Sequence, residues 1–499
     1  MYADCYNVMK DMFKRPTKKQ LLIRRIITYT VMFIAVVVIV SGTILFILGY
    51  RLDGDKGRIE QGALVQFDSK PNGADVAIDG KSINSRTPSK QTVVAGKHEF
   101  VVNKSGYETW SKTLSVKAGT LEWLDYLRLV PKNLQTESVA NYATVYGEKA
   151  SPDYKWLMVQ EKADTPTFQL VDLRSSQVKS STITLPTTLY TDATTAGVTH
   201  TFTMENWDKD GRYVIMKHTF NNASEYIVID TQDVATSVNV STLLSISLSE
   251  LKFSGTSGTS LYGLTNGTIR KLDLSGATIS RGLVSNVKDF NLFDNTIVTY
   301  TGTDPDNAAH QVAGIYREGD ELSHVLRTVD NLTTPLSIAA TQYHANDFIA
   351  ISEGLKVTVL KGRYPASTDM ANASLKPYGA FKVSSNIDTT QFSQDGDHLV
   401  VQSGLNFVSY EIEYMRQTDS TIVTTETTPH TLQWLDDAYL WAVYDGHLSI
   451  REFDGTNTHV IMAMEPGFDA TLSQNGKYLY GIAKSSNGYQ LQRVMMILN

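Results

Sequence analysis

The chain has 499 residues, 42% of them hydrophobic and 19% charged, with one cysteine and a net charge of −7. Seven Lys and Arg against two Asp make residues 1–25 a +5 head, so the remainder stands at −12. An acidic surface of that size argues against nucleic acid as a partner, because phosphate contacts need Lys and Arg. With Cys5 alone, no disulfide forms within the chain, and its stability must come from burial of core side chains.

Residues 26–50 carry no charge and include the run Val31 to Val40. At about 1.5 Å per residue a helix of that length crosses a hydrocarbon core of roughly 30 Å. Ile26, Val31, Phe33, Val38, Leu45 and Leu48 are read as its lipid-facing anchor. The basic residues on its N-terminal side, among them Lys18, Lys19, Arg24 and Arg25, set the orientation: N-terminus cytoplasmic, C-terminus outside. The apolar run is too long for a cleaved signal peptide, and Ile47-Leu48-Gly49-Tyr50 is a poor cleavage site, so an uncleaved signal anchor is expected. Residues 51–61 are polar, contain two glycines, and read as a juxtamembrane linker.

From 62 to 131 short alternating stretches are separated by turn signals. Ala63 to Ser69 reads as a strand, Pro71-Asn72-Gly73-Ala74 as a turn, and Asp75 to Ile78 as a strand ended by Asp79-Gly80. Asp-Gly suits a primed hairpin turn, because both residues tolerate positive φ. Phe100 and Val102 fall on one face, and Trp110, Leu114, Val116 and Trp123 continue the pattern. A small antiparallel β-sandwich is predicted. His98 lacks a His or Cys partner at metal-ligand spacing and reads as a strand histidine.

The segment resembles the PEGA domain family. The resemblance rests on Pro71-Asn72-Gly73-Ala74 (Asn where the family name has Glu), Val76-Ala77-Ile78-Asp79-Gly80-Lys81, Thr87-Pro88, Gly96-Lys97-His98 and Ser105-Gly106-Tyr107. It implies a spacer or attachment module of a bacterial or archaeal envelope, without catalytic function.

From 135 to 499 a turn-plus-strand element recurs about every 45 residues. Its clearest copies are Ala150 to Leu157, Asp208 to Ile215, Phe392 to Val400 and Leu472 to Tyr480, with weaker ones near Phe253, Phe293, Asn346 and Trp434. Strands ending in an acidic residue follow, as at Asp172, Asp230, Asp273 and Asp454. That period suits one four-stranded propeller blade, so seven or eight blades are predicted, with Ser138 to Tyr146 supplying the strand that closes the ring. The Ser-x-Asp-Gly-x-x-Leu element resembles the repeat of Tol-system and WD-like β-propellers.

No linear catalytic motif is present: no P-loop, no Gly-x-Ser-x-Gly, no His-Glu-x-x-His. The turns at Asp210-Gly211 and Asp395-Gly396 invite a calcium or catalytic reading, but Asp and Gly are what a tight turn needs. No cofactor or metal is expected. The dense aromatic group Trp434, Tyr439, Trp441 and Tyr444 is the candidate binding rim, with blade packing as the alternative. The expected protein is a non-catalytic, membrane-anchored envelope module whose propeller binds a protein partner. Recognition of cell-wall glycan and a hydrolase with a carboxylate pair in the funnel are the alternatives.

Overall fold

The structure is a computed structural model that describes residues 17–47, 50–53, 58–192, 197–293, 295–364 and 374–498. Cys5 and Leu48, named above, and the head residues Lys10, Lys14 and Arg15 lie outside the described residues. The chain divides into two compact units: residues 1–105 with 109–129, and residues 106–108 with 130–499.

In the first unit a helix runs over Lys18–Ile47. It starts eight residues before the predicted apolar span because Thr17-Lys18-Lys19-Gln20 forms a capping box. The Gln20 side chain accepts from the Thr17 N–H at 3.0 Å, and the Thr17 hydroxyl accepts from the Gln20 N–H at 3.4 Å. Lys18, Lys19, Arg24 and Arg25 therefore sit on the helix itself, all exposed. Its apolar side chains are exposed as well, among them Ile26, Val31, Phe33, Val38 and Leu45, and none of the 28 residues Lys18–Leu45 is buried. The helix is long and apolar enough to cross a membrane.

The predicted linker is corrected by the structure. Tyr50–Asp53 and Arg58–Lys70 are antiparallel strands, with Leu52 opposite Ile59. Tyr50 thus belongs to a strand and not to the helix. Each short segment alternates, but around a single apolar residue, too weak a signal to read as a strand.

Two four-stranded sheets complete this unit. In one, Arg58–Lys70 pairs antiparallel with Tyr50–Asp53 and Ser89–Val94 but parallel with Leu121–Arg128, so the sheet is mixed where an antiparallel one was predicted. The other runs Lys81–Arg86, Asp75–Ile78, Gly96–Asn103, Trp110–Val116. Ala63, Val65, Phe67, Val76, Phe100, Val102, Trp110 and Leu124 are its core, with Phe67 and Phe100 rings 5.7 Å apart. Thr87 explains the Pro71–Ala74 turn: its buried hydroxyl lies 2.6 Å from Ser69 Oγ and accepts from the Ala74 N–H at 3.0 Å. Asp79 and Gly80 both take positive φ in the two-residue hairpin joining Ile78 to Lys81. His98 is structural. Its Nδ1 lies 2.6 Å from Asp79 Oδ2 and its Nε2 2.7 Å from the Val94 carbonyl, which ties that hairpin to the next strand.

The second unit is an eight-bladed propeller. Its four-stranded antiparallel sheets span 147–184, 200–239, 250–279, 287–329, 336–382, 389–421, 433–463 and 471–495, numbered blades 1 to 8. Blade 8 has three strands of its own, and Thr136–Tyr142 pairs with Gly488–Met495 to supply the fourth. This strand is the predicted closure, and it joins the two ends of the chain in one blade. Closure is sealed by a core of Leu157, Val159 and Val171 from blade 1 against Tyr478, Tyr480, Ile482 and Leu491 from blade 8. Similar clusters join the other blades, as Met158, Phe168, Phe202 and Val214 do for blades 1 and 2. The first strands of blades 1 and 2, and of blades 5 and 6, lie against one another, as inner strands around an axis do. All eight repeat copies fall at the turn between the first and second strands of a blade.

Candidate functional site at one mouth of the propeller

The repeat is a hydrogen-bonded turn. In blade 8 the Ser473 hydroxyl donates to Asn475 Oδ1 at 2.8 Å and accepts from the Tyr478 N–H at 3.0 Å. In blade 1 Ser151 does the same with Asp153 (2.6 Å) and the Trp156 N–H (3.0 Å). In blade 6 Ser393 does so with Asp395 (2.7 Å) and the His398 N–H (3.1 Å). Blade 2 substitutes Asp208, whose Oδ1 accepts from the N–H groups of Arg212 and Tyr213, both at 2.7 Å. The Ser and Asp are thus explained by strand entry. Asp210-Gly211 belongs to the same structural turn, with the Gly211 N–H on the Asp208 carbonyl at 3.2 Å.

Because these turns surround the axis, three of them converge with the segment that enters blade 8. A pocket of about 230 Å³ is lined by Ser151 and Tyr154 of blade 1, Gln394 of blade 6, Trp434, Asp436 and Trp441 of blade 7, and Asp469 before blade 8. The Tyr154 hydroxyl reaches past blade 8 to donate to the Leu435 carbonyl of blade 7 at 3.2 Å. Trp434 is half-buried, and its Nε1–H has no acceptor among the described residues. The pocket therefore combines aromatic faces, an indole donor, side-chain amides and carboxylates.

Of the four aromatics predicted as a rim, the structure brings Trp434 and Trp441 to this pocket and leaves the other two out of it. Trp441 is a wall residue, only 4% exposed. Tyr439 and Tyr444 are buried and do not form an exposed rim. The Tyr439 hydroxyl donates to Glu452 at 3.0 Å. Tyr444 packs with Val400, Phe407 and Leu432 between blades 6 and 7, and its hydroxyl donates to the His430 carbonyl at 3.0 Å. The reason is positional. Tyr439–Tyr444 is the second strand of its blade, covered on both faces and buried throughout.

Sequence reasoning missed Tyr154, although it carried a signal. Blades 2, 6 and 8 have Gly211, Gly396 and Gly476 in this turn, and Tyr154 adopts positive φ (60°) where its turn copies them. Blade 6 held a second signal. Where other copies read Lys155-Trp156, Arg212-Tyr213 and Lys477-Tyr478, blade 6 reads Asp397-His398. Ligand atoms of Asp395, Asp397 and His398 lie within 4.8 Å of one another. His398 Nδ1 pairs with Asp397 Oδ1, and the Asp395 N–H donates to Asp437 Oδ1 at 3.2 Å. Loss of surrounding water, with the Asp397 charge next, pushes the Asp395 carboxyl up to about 7. For Asp397 burial is again the largest influence and pulls upward, but the bond and charge of His398, with the bonds of Asp395 and Ser393, together hold that carboxyl below its ordinary value.

Residues 63–133 match the PEGA domain family. No curated protein matches the chain. Among solved structures, the C-terminal WD40 domain of Sif2 is 12% identical, with 73% of this chain and 99% of that one covered and a TM-score of 0.47. The Myceliophteria thermophila Cps50 (Swd1) β-propeller domain is 9% identical, with 66% and 99% covered and a TM-score of 0.41. An oligogalacturonate lyase in complex with manganese is 11% identical, with 61% and 95% covered and a TM-score of 0.36. The propeller assignment here rests on strand order and ring closure.

Proposed function

We propose that this chain is a membrane-anchored binding protein of a bacterial envelope. Its helix spans the cytoplasmic membrane with the N-terminus inside, and its PEGA domain and propeller act outside as a non-catalytic module that engages a protein. The observation that carries this reading is the pocket at the propeller mouth, to which blades 1, 6 and 7 contribute Tyr154, Gln394, Trp434 and Asp436 and the segment before blade 8 contributes Asp469. In a propeller the remaining strand edges are short and protected, so recognition falls to turns and loops at the ring faces. The anchor reading is supported by the exposed apolar helix, whose backbone groups are satisfied internally as a bilayer requires. Lys18, Lys19, Arg24 and Arg25 at its N-terminal end favour the stated orientation.

The test is in-cell photo-crosslinking of the full chain with the probe at Gln394 or, as a control, at Val423, which is 94% exposed. The expected result is one recurrent protein adduct at Gln394, absent at Val423 and lost when Trp434 is changed to Ala. No adduct at Gln394 rejects the reading. The half-buried Trp434 face beside two glutamine amides favours glycan as the second reading. Co-sedimentation of the detergent-solubilised chain with cell-wall sacculi, lost in Trp434→Ala, would put glycan first. Protection of the C-terminal units from cytoplasmic protease, with membrane retention in alkaline carbonate, tests the anchor.

A further inference from the structure

We propose that the first turn of blade 6 binds a first-row divalent cation, Zn²⁺ or Mn²⁺, through Asp395, Asp397 and His398. The other copies of the turn neutralise or omit the acid. In blade 1 the turn carboxylate Asp153 is neutralised by Lys155, with Nζ 2.8 Å from Oδ2. In blade 2 Arg212 pairs with Asp230 at 2.6 Å. In blade 8 the acid is replaced by Asn475 and Lys477 is retained. Blade 6 alone of these four puts an acid at the lysine position, so Asp395 and Asp397 bond to the same Ser393 hydroxyl, at 2.7 and 3.1 Å. Asp437 adds a third negative charge beside them. A tight turn needs none of this, since blades 1 and 8 form it without the second acid.

The next position points to a ligand independently of the acids. It is aromatic in blades 1, 2 and 8, and in blade 6 it is His398, which is 5% exposed. Its ring is held against Phe453, with centroids 3.8 Å apart, and its Nδ1 faces the carboxylates. A buried imidazole fixed by packing, with two carboxylate oxygens inside 4.8 Å, is a nitrogen–oxygen donor set of the kind zinc and manganese accept. Calcium takes oxygen ligands only and makes no use of the imidazole. Water completes the coordination on the exposed side of Asp395. The site lies beside the mouth, with Gln394 in the pocket wall and the His398 ring 6.4 Å from that of Trp434.

The test uses the full chain in detergent, stripped with chelator and dialysed against Zn²⁺ or Mn²⁺ alone. Uptake of one equivalent is expected, with Zn²⁺ bound more tightly than Mn²⁺ and neither displaced by equimolar Ca²⁺. Asp397→Lys restores the residue of blades 1 and 8, and should keep the fold while weakening uptake at least tenfold. The isosteric Asp397→Asn gives the same reading should the lysine disturb folding. Co²⁺ should quench tryptophan fluorescence in the parent chain, and less in Trp434→Phe. Absence of stoichiometric uptake, or equal uptake by parent and Asp397→Asn, overturns the proposal.

Discussion

Blades 6 and 8 enter their second strands through the same turn, yet they leave it different freedoms. Both use a buried serine, Ser393 or Ser473, whose hydroxyl bridges a turn side chain and the N–H five residues on. Both place a glycine at positive φ, Gly396 at 83° and Gly476 at 67°. In blade 8 the turn is neutral apart from Lys477, and a Cβ on Gly476 would meet nothing within 4 Å. In blade 6 the turn carries two acids and a histidine, and a Cβ on Gly396 would lie 2.4 Å from Thr341 Oγ1 and 2.8 Å from the Gln342 carbonyl. Between these two blades the hydrogen-bond pattern is shared, whereas the paired acids and the close approach belong to blade 6, and there a specific role is to be sought.

Substitutions can break this comparison. Gly396→Ala should have the largest effect, because it adds a backbone clash to an unfavourable φ. A loss of about 3 kcal/mol is expected, read as a lower midpoint in urea unfolding. Ser473→Ala and Ser393→Ala should each cost about 1.5 kcal/mol by leaving a buried N–H without its hydroxyl. A difference above about 1 kcal/mol between the two would mean that the shared turn does not do the same work in both blades. Gly476→Ala meets no atom and should cost only about 1 kcal/mol, the strain of positive φ for a residue with a Cβ.

Much of this architecture was legible because it is periodic. The eight turn signals mark the eight blades, and the segment before blade 1 was recognisable as the closing strand because the last copy has too few residues for four strands. The PEGA match was legible from Pro71 to Ala74 and Thr87, residues that the structure joins by hydrogen bonds. What stayed hidden depends on long-range neighbours. The hairpin before the PEGA core was unreadable because Leu52 and Ile59 are its only apolar pair. Aromatic density on Tyr439 to Tyr444 pointed to a rim, but strand position within the blade decides exposure, and the second strand is covered on both faces. The pocket draws on residues nearly 300 positions apart, such as Tyr154 and Leu435, so no local pattern announces it. Asp397-His398 was visible as a departure from the repeat, and reading the copies against one another would have found it.

The smallest effect sharpens the comparison most, because it uses a charge that blade 8 lacks. The Asp395 carboxyl is raised from 3.8 to about 7, by loss of water and then by Asp397. Between those values the folded chain holds a proton that the unfolded chain releases, so this group's contribution to stability declines as pH rises from about 4 to 7 and levels off above. His398 is also raised above its ordinary value: burial is the largest influence and opposes its charge, but the Asp397 bond and the charges of Asp397, Glu411 and Asp395 together override it. A raised histidine contributes below its unfolded value and loses that contribution as pH rises through the folded one, so the two slopes have the same sign. Asp395→Asn places in blade 6 the amide that blade 8 already has, and it removes the first slope. With chelator present, its melting temperature should match the parent at pH 4 and exceed it at pH 8. The gain should be at most about 1 kcal/mol, because solvent screens the exposed edge of Asp395. Equal melting temperatures at pH 8 would mean that the two acids of blade 6 do not strain the turn, and its difference from blade 8 would then be one of packing around Gly396 alone.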